Sequence, residues 1–274
     1  MRLRILASGS SGNATLIEAG NTRVLLDGGL GPRKLAQHLR AASVEPDSLA
    51  AVFLSHEHID HIKGAAAFAQ RFGVKVMGSR GTCLAGGFMA VRKQGPGFEP
   101  ICAGQTIELD GLAVRPLAIP HDAAEPLGFV FRASDVALGY ATDLGHLPED
   151  VSGALASCDL VVLESNHDVA MLREGPYPWP LKERVASAHG HLSNADVARF
   201  LVERLGPQCH TVVLAHLSEV NNHPEVARMS AEQALTRAGR SDVRLEVATR
   251  HGTHWLEVRR QRAPQAQGNQ YRLW

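Results

Sequence analysis

The chain has 274 residues, 45% of them hydrophobic, and a formal net charge of zero. That length supports a sizeable core, and the balanced charge excludes a global pull toward nucleic acid or membrane, so any basic surface is local. No apolar run approaches the roughly 20 residues of a membrane span.

In chain order, short apolar runs predict strands over 3–7, 14–19, 23–27, 51–55 and 75–78, and again over 113–119, 128–132, 136–142, 160–164, 211–215, 243–248 and 253–258. Helical patterns fall between them over 32–42, 61–72, 193–205 and 224–238. Pro32 suits a first helical turn, Gly73 a helix stop, and Ser193 with Asp196 an N-terminal cap. Strands with interspersed helices argue for mixed α/β layers. Residues 1–260 read as one domain. Residues 261–274 read as a tail, mobile or used in contacts between subunits, which admits a homodimer. The apolar stretch in "MRLRILASGSSGNA" is too short for a signal peptide, and the expected location is cytoplasmic. Cys83, Cys102, Cys158 and Cys209 form no CxxC pair and read as buried free thiols of a reducing compartment.

The segment "SHEHIDH" follows the apolar run "LAAVFL" and holds His56, His58, Asp60 and His61. On an extended segment His56 and His58 face one side and Glu57 the other. Asp60 and His61 then open a helix and suit a second, neighbouring cation. Imidazole with carboxylate is a zinc-type ligand set, and manganese and iron accept it too. Three further apolar strands end in candidate ligands: "VRPLAIPH" at His121, "VALGYATD" at Asp143 and "TVVLAH" at His216. Asp143 is the better bridging carboxylate, because Asp60 already lies beside His61. Two cations about 3.5–4 Å apart can clamp the attacking and leaving oxygens of an in-line phosphoester displacement, with a hydroxide held between them as nucleophile.

HxHxDH followed by separated His, Asp and His resembles the metallo-β-lactamase superfamily across essentially the whole chain. The resemblance implies an α/β fold, the αββα sandwich of two mixed sheets with helices on the outer faces. It implies a dinuclear site in which His56, His58 and His121 bind one metal, Asp60, His61 and His216 the other, and Asp143 bridges. The segments "LASGSSGNAT", "LLDGG", "HDAAEPLGF", "LVVLESNHD", "GPYPWPLKERV", "HGHLSN" and "AHLSEVNNHP" look like the YycJ/WalJ group of small metallo-hydrolases. Domain size and ligand order are also similar to PhnP-type phosphodiesterases. The implied activity is a phosphodiesterase, foremost an exonuclease on DNA. The alternatives are a phosphodiesterase for small nucleotides or cyclic phosphates and, behind it, a thioester or lactone hydrolase.

Around that centre Asp60 and His191 are the expected catalytic residues, His191 as general acid, with helix capping as its alternative role. "SGSSGN" offers Ser10, Ser11 and Asn13 as a phosphate cradle, or else a tight turn, with bracing of the site as a further role for Asn13. Asp27 is expected to hydrogen-bond a ligand from behind, His167 to touch substrate or orient a ligand, and Ser193 to touch substrate. "REGPYPWPLKER" reads as a proline-pinned loop whose aromatics pack on the core, the alternative being that Tyr177 and Trp179 stack on bases while Arg173, Lys182 and Arg184 meet phosphates. "MAVRKQGPGFE", with Arg92 and Lys93, reads as a flexible loop flanking the cleft.

Overall fold

The computed structural model describes residues 1–88 and 97–260. The segment with Arg92 and Lys93 and the tail at 261–274 lie outside the described residues.

The first part of the chain forms β1 (Arg2–Ala7), β2 (Ala14–Ala19), β3 (Thr22–Leu26), β4 (Ala51–Phe53), β5 (Val76–Gly78) and β6 (Phe98–Pro100). Between them lie helices α1 (Pro32–Ala41), α2 (Ile59–Ile62), α3 (Ala65–Phe72) and α4 (Arg80–Ala85). The second part forms β7 (Ile107–Leu109), β8 (Leu112–Ala118), β9 (Leu127–Ala133), β10 (Val136–Ala141), β11 (Leu160–Glu164), β12 (Thr211–Ala215) and β13 (Arg244–Val247). Its helices are α5 (Glu149–Ala156), α6 (Val169–Glu174), α7 (Trp179–Val185), α8 (Asn194–Glu203) and α9 (Pro224–Arg237). Strand β14 (Leu256–Glu257) returns to pair with β1.

Two seven-stranded sheets result, ordered β14-β1-β2-β3-β4-β5-β6 and β13-β12-β11-β10-β9-β8-β7. Each joins an antiparallel meander to a parallel half, with β3 to β6 parallel in one and β10 to β13 in the other. The runs "LVVLE" and "TVVLA" are buried at every position, as strands covered on both faces must be. Alternation of side chains then splits each run between two layers. Val162, Val213 and Ala215 enter the core between the sheets, while Val161, Leu163, Val212 and Leu214 face the helices. In the middle layer Phe53 of β4 meets Phe129 and Phe131 of β9 edge-on, with centroids 5.8 and 6.3 Å apart. Leu35, Leu39 and Phe68 of α1 and α3 cover the first sheet. Leu155, Val197, Phe200 and Ala234 of α5, α8 and α9 cover the second. The layering is the expected αββα sandwich. No described helix is long and apolar enough to cross a membrane.

Several local expectations change. The helix expected over 61–72 is two helices, α2 and α3, parted at Gly64. Gly64 N–H donates to the Gly28 carbonyl oxygen, and a Cβ at this position would overlap the Leu30 carbonyl oxygen. The segment 173–184, expected as a loop, falls largely within α6 and α7. Trp179 is 62% exposed there and does not pack on the core. Cys102 is exposed, whereas the other three cysteines are buried as expected.

Candidate metal centre

The candidate ligands all follow strand ends. Strand β4 stops at Phe53, so His56 and His58 lie on the loop beyond it and not on an extended strand. Their rings still face one another, 4.5 Å apart. Asp60 and His61 follow on α2, His121 after β8, Asp143 after β10 and His216 after β12. Asp27, Asp143 and His216 adopt the left-handed backbone region, with φ of 63°, 61° and 52°. That region is uncommon outside glycine, and here it turns the chain sharply where strands β3, β10 and β12 end.

The side chains form adjoining groups. Ligand atoms of His56, His58 and His121 lie within 4.8 Å of one another, as do those of Asp60, His61 and His216. Asp143 joins the groups, since its ligand atoms also fall within that distance of His56 and His61. Nε2 of His61 is 3.3 Å from Asp143 Oδ2 and 3.5 Å from Asp60 Oδ2. Nε2 of His216 is 3.6 Å from Asp60 Oδ2.

One nitrogen of most of these rings is held from behind, which fixes the ring and leaves the other nitrogen for the centre. Asp27 Oδ2 meets His61 Nδ1 at 2.8 Å, and Asp27 Oδ1 accepts from the Ser55 backbone N–H. Nδ1 of His56 meets Ser55 Oγ, and Nδ1 of His121 meets the Gly190 carbonyl oxygen. Glu164, which is fully buried, meets Nδ1 of both His216 and His191 at 2.9 Å through Oε1. Its Oε2 accepts from the backbone N–H groups of Leu144 and Leu192.

The front of the centre lacks such partners. His56 Nε2, His216 Nε2 and Asp143 Oδ2 are buried without a hydrogen-bond partner. Nδ1 of His121 faces carbonyl oxygens and so carries the ring proton, which leaves Nε2 as a lone pair 3.4 Å from Nδ1 of His58. Buried polar groups in folded proteins are satisfied, and a cation among these atoms satisfies all of them. The residues therefore fit divalent metal, as the donor set of imidazole and carboxylate requires.

The electrostatics agree. Burial lowers the His56 basicity, and neighbouring His61 and His121 lower it further. Burial opposes the charge of His61, yet Asp143 and Asp27 outweigh it and push its pKa up to about 10. Burial opposes charge on His216 too, and Asp143, Asp60 and Glu164 raise it well above the ordinary value. Burial works to raise Asp60, but the neighbouring His216 and His61 rings overcome it and hold the carboxyl well below the carboxylate range.

The remaining expected residues fall in different places. His191 lines a cleft of about 230 Å³ together with Ser10, His58, Asp60, Asp143 and His216. Its ring lies 5.6 Å from that of His216 and 5.1 Å from that of His121. Burial lowers its basicity but Glu164 raises it more, so the net shift is upward. Ser10 and Ser11 are exposed at the loop tip. Asn13 is buried and committed to the ligands, its Nδ2 3.3 Å from Asp60 Oδ2 and 2.9 Å from His61 Nε2. Ser193 caps α8, with Oγ donating to Asp196 Oδ2 at 2.6 Å. His167 is buried and lines a separate cavity shared with His191 and Ser193. Sequence reasoning assigned Glu164 no role. The one signal was a carboxylate closing the otherwise apolar run "LVVLE".

Residues 22–217 match the family described as the beta-lactamase superfamily domain. Exodeoxyribonuclease WalJ of Streptococcus pneumoniae (strain D39) is 34% identical over 241 residues, covering 85% of this chain and 88% of that protein. Exodeoxyribonuclease YycJ of Bacillus anthracis is 31% identical over 239 residues, covering 87% and 90%. Among solved structures, the metallo-β-lactamase fold protein YhfI of Bacillus subtilis superposes with a TM-score of 0.70 at 17% identity, covering 93% of this chain and 99% of that one.

Proposed function

The chain belongs to the beta-lactamase superfamily domain family, and on that premise we propose that this metal-dependent hydrolase is a dinuclear phosphodiesterase, an exonuclease on DNA. The observation that carries the reading is the meeting of two ligand groups at Asp143, beside a histidine that belongs to neither group. His56, His58 and His121 would hold one cation and Asp60, His61 and His216 the other, with Asp143 bridging. Zinc and manganese suit these ligands, and iron is compatible. When bound, the two ions supply Lewis acidity for the phosphoryl oxygens and lower the pKa of a water.

The chain's own residues do the rest. Asp60 stays ionised and is the acceptor that orients the attacking water. Glu164 fixes the His191 ring through Nδ1 at 2.9 Å, which leaves Nε2 for the substrate. From there His191 donates a proton to the leaving oxygen, the usual need of an alkoxide leaving group. The relatives named exodeoxyribonuclease support DNA as substrate. A small nucleotide or cyclic phosphate is the second reading, favoured by the zero net charge and a cleft of only about 230 Å³.

The test is release of label from 5′-phosphorylated linear duplex DNA by purified protein supplied with Mn²⁺ or Zn²⁺. Stepwise release that vanishes in His58→Ala supports the exonuclease. No release from protein carrying two metals overturns it and leaves cyclic nucleotides and generic phosphodiesters as the substrates to try.

A further inference from the structure

His191 lines two cavities. One is the cleft over the ligands, and the other, about 460 Å³, opens among α6, α7 and the start of α8. The second contains none of the seven residues assigned above to the two cations, and three features of its wall point to a ligand. Trp179 is 62% exposed, and its Nε1 donates to Glu183 Oε1 at 2.7 Å, which tethers the indole while leaving much of it open. His167 is only 3% exposed, and its Nδ1 is buried without a hydrogen-bond partner. Arg173, Lys182 and Arg199 outnumber Glu183 and Asp196 in the lining, which leaves it net positive, with Arg199 paired to Asp196 at 3.2 Å.

An aromatic face, a buried nitrogen that needs a partner and nearby cations together describe a flat heterocycle with a polar edge, joined to phosphate. An aliphatic ligand would leave His167 unsatisfied. A bare anion would make no use of Trp179. We propose that this cavity is a nucleobase subsite that takes the base next to the scissile phosphate, stacked on Trp179 and hydrogen-bonded to His167. The proposal rests on the phosphodiesterase reading for its place beside the reaction. The geometric link is His191, which faces both spaces, so a phosphate in the cleft and a base in the cavity can belong to one nucleotide chain. Stacking tolerates any base because every base presents a π-face, as digestion of DNA of arbitrary sequence requires.

Calorimetric titration of the metal-loaded full chain with dAMP and with 2-deoxyribose 5-phosphate tests this without turnover. The expected result is tighter binding of dAMP. Trp179→Leu should weaken dAMP by about 5- to 150-fold, the range of one base stack, and leave the sugar phosphate unchanged. His167→Ala should also weaken dAMP selectively. Trp179 is exposed, so its variant is expected to fold, and equal metal content and circular dichroism verify that. Equal affinity of the wild type for the two compounds, or unchanged dAMP binding by Trp179→Leu, would overturn the subsite. Base-selective binding by a protein that digests no DNA would uphold the subsite and sink the exonuclease instead.

Discussion

Glu164 serves two histidines with one oxygen, His216 among the ligands and His191 beside them. That sharing separates two kinds of damage. His191→Ala removes only the proposed proton donor, so turnover should fall about 10²- to 10⁴-fold while metal content is unchanged. Glu164→Ala frees His216 as well, so metal affinity should fall about 10- to 100-fold, the scale for losing a partner behind a ligand. Metal content after dialysis and single-turnover rates check the contrast. Loss of metal in His191→Ala would make that residue a ligand. At this scale the clustered histidines were legible from spacing, because four donor residues in "SHEHIDH" have few other uses. Glu164 was not, since one carboxylate at a strand end gives no hint that its partners lie 27 and 52 positions away. Asn13 was legible as a brace of the site, but not its partners Asp60 and His61, which depend on how the loop folds back.

The elements that carry ligands are held by close backbone contacts. Gly29 is the tightest of these, since a Cβ there would overlap the Asp60 carbonyl oxygen outright. Gly28 N–H also donates to the His61 carbonyl oxygen at 2.7 Å, and Asn13 N–H to that of Asp60 at 2.8 Å. Gly29→Ala must therefore push α2 away from the centre. The expected outcome is loss of metal measured by elemental analysis, and of activity with it, in a protein whose far-ultraviolet circular dichroism is unchanged. Wild-type metal content in that variant would show that α2 can move without cost. The glycine pair in "LLDGG" was visible in sequence, but its reason was a contact with residues some thirty positions on. Helix α7 escaped sequence reading for a different cause. Its prolines suggested a loop, yet Pro180 stands in the first turn, where a missing N–H costs nothing. The buried strands were read well because "LVVLE" and "TVVLA" leave no polar face for any other placement.

Across the whole molecule, the centre takes ligands from both sheets, so its stability and that of the sandwich are linked. Phe53, Phe129 and Phe131 join the sheets in the middle layer. Phe131→Ala should cost about 3–5 kcal/mol by the cavity it leaves, read as a lowered midpoint in urea. A change near zero would mean the sheets close over the gap. Metal ties the same two sheets at their edge, so chelation should lower the Tm and added metal raise it with concentration. Protons compete for that place. In the metal-free chain burial opposes charge on His61 and His216, but the surrounding carboxylates outweigh it, so His61 titrates at about 10 and His216 is raised as well. A raised histidine is protonated below its folded pKa, so His61 is an imidazolium near pH 7.5 and must lose a proton to bind metal, and the upward shift of His216 acts in the same direction. Apparent metal affinity should then keep rising with pH beyond 6.5, the usual histidine value, toward about 10. Zinc titrations of metal-free protein at pH 7.5, in two buffers of different ionisation enthalpy, count the protons released. Release of at least one proton per chain is expected. A count of zero would mean that the rings are already neutral before metal arrives.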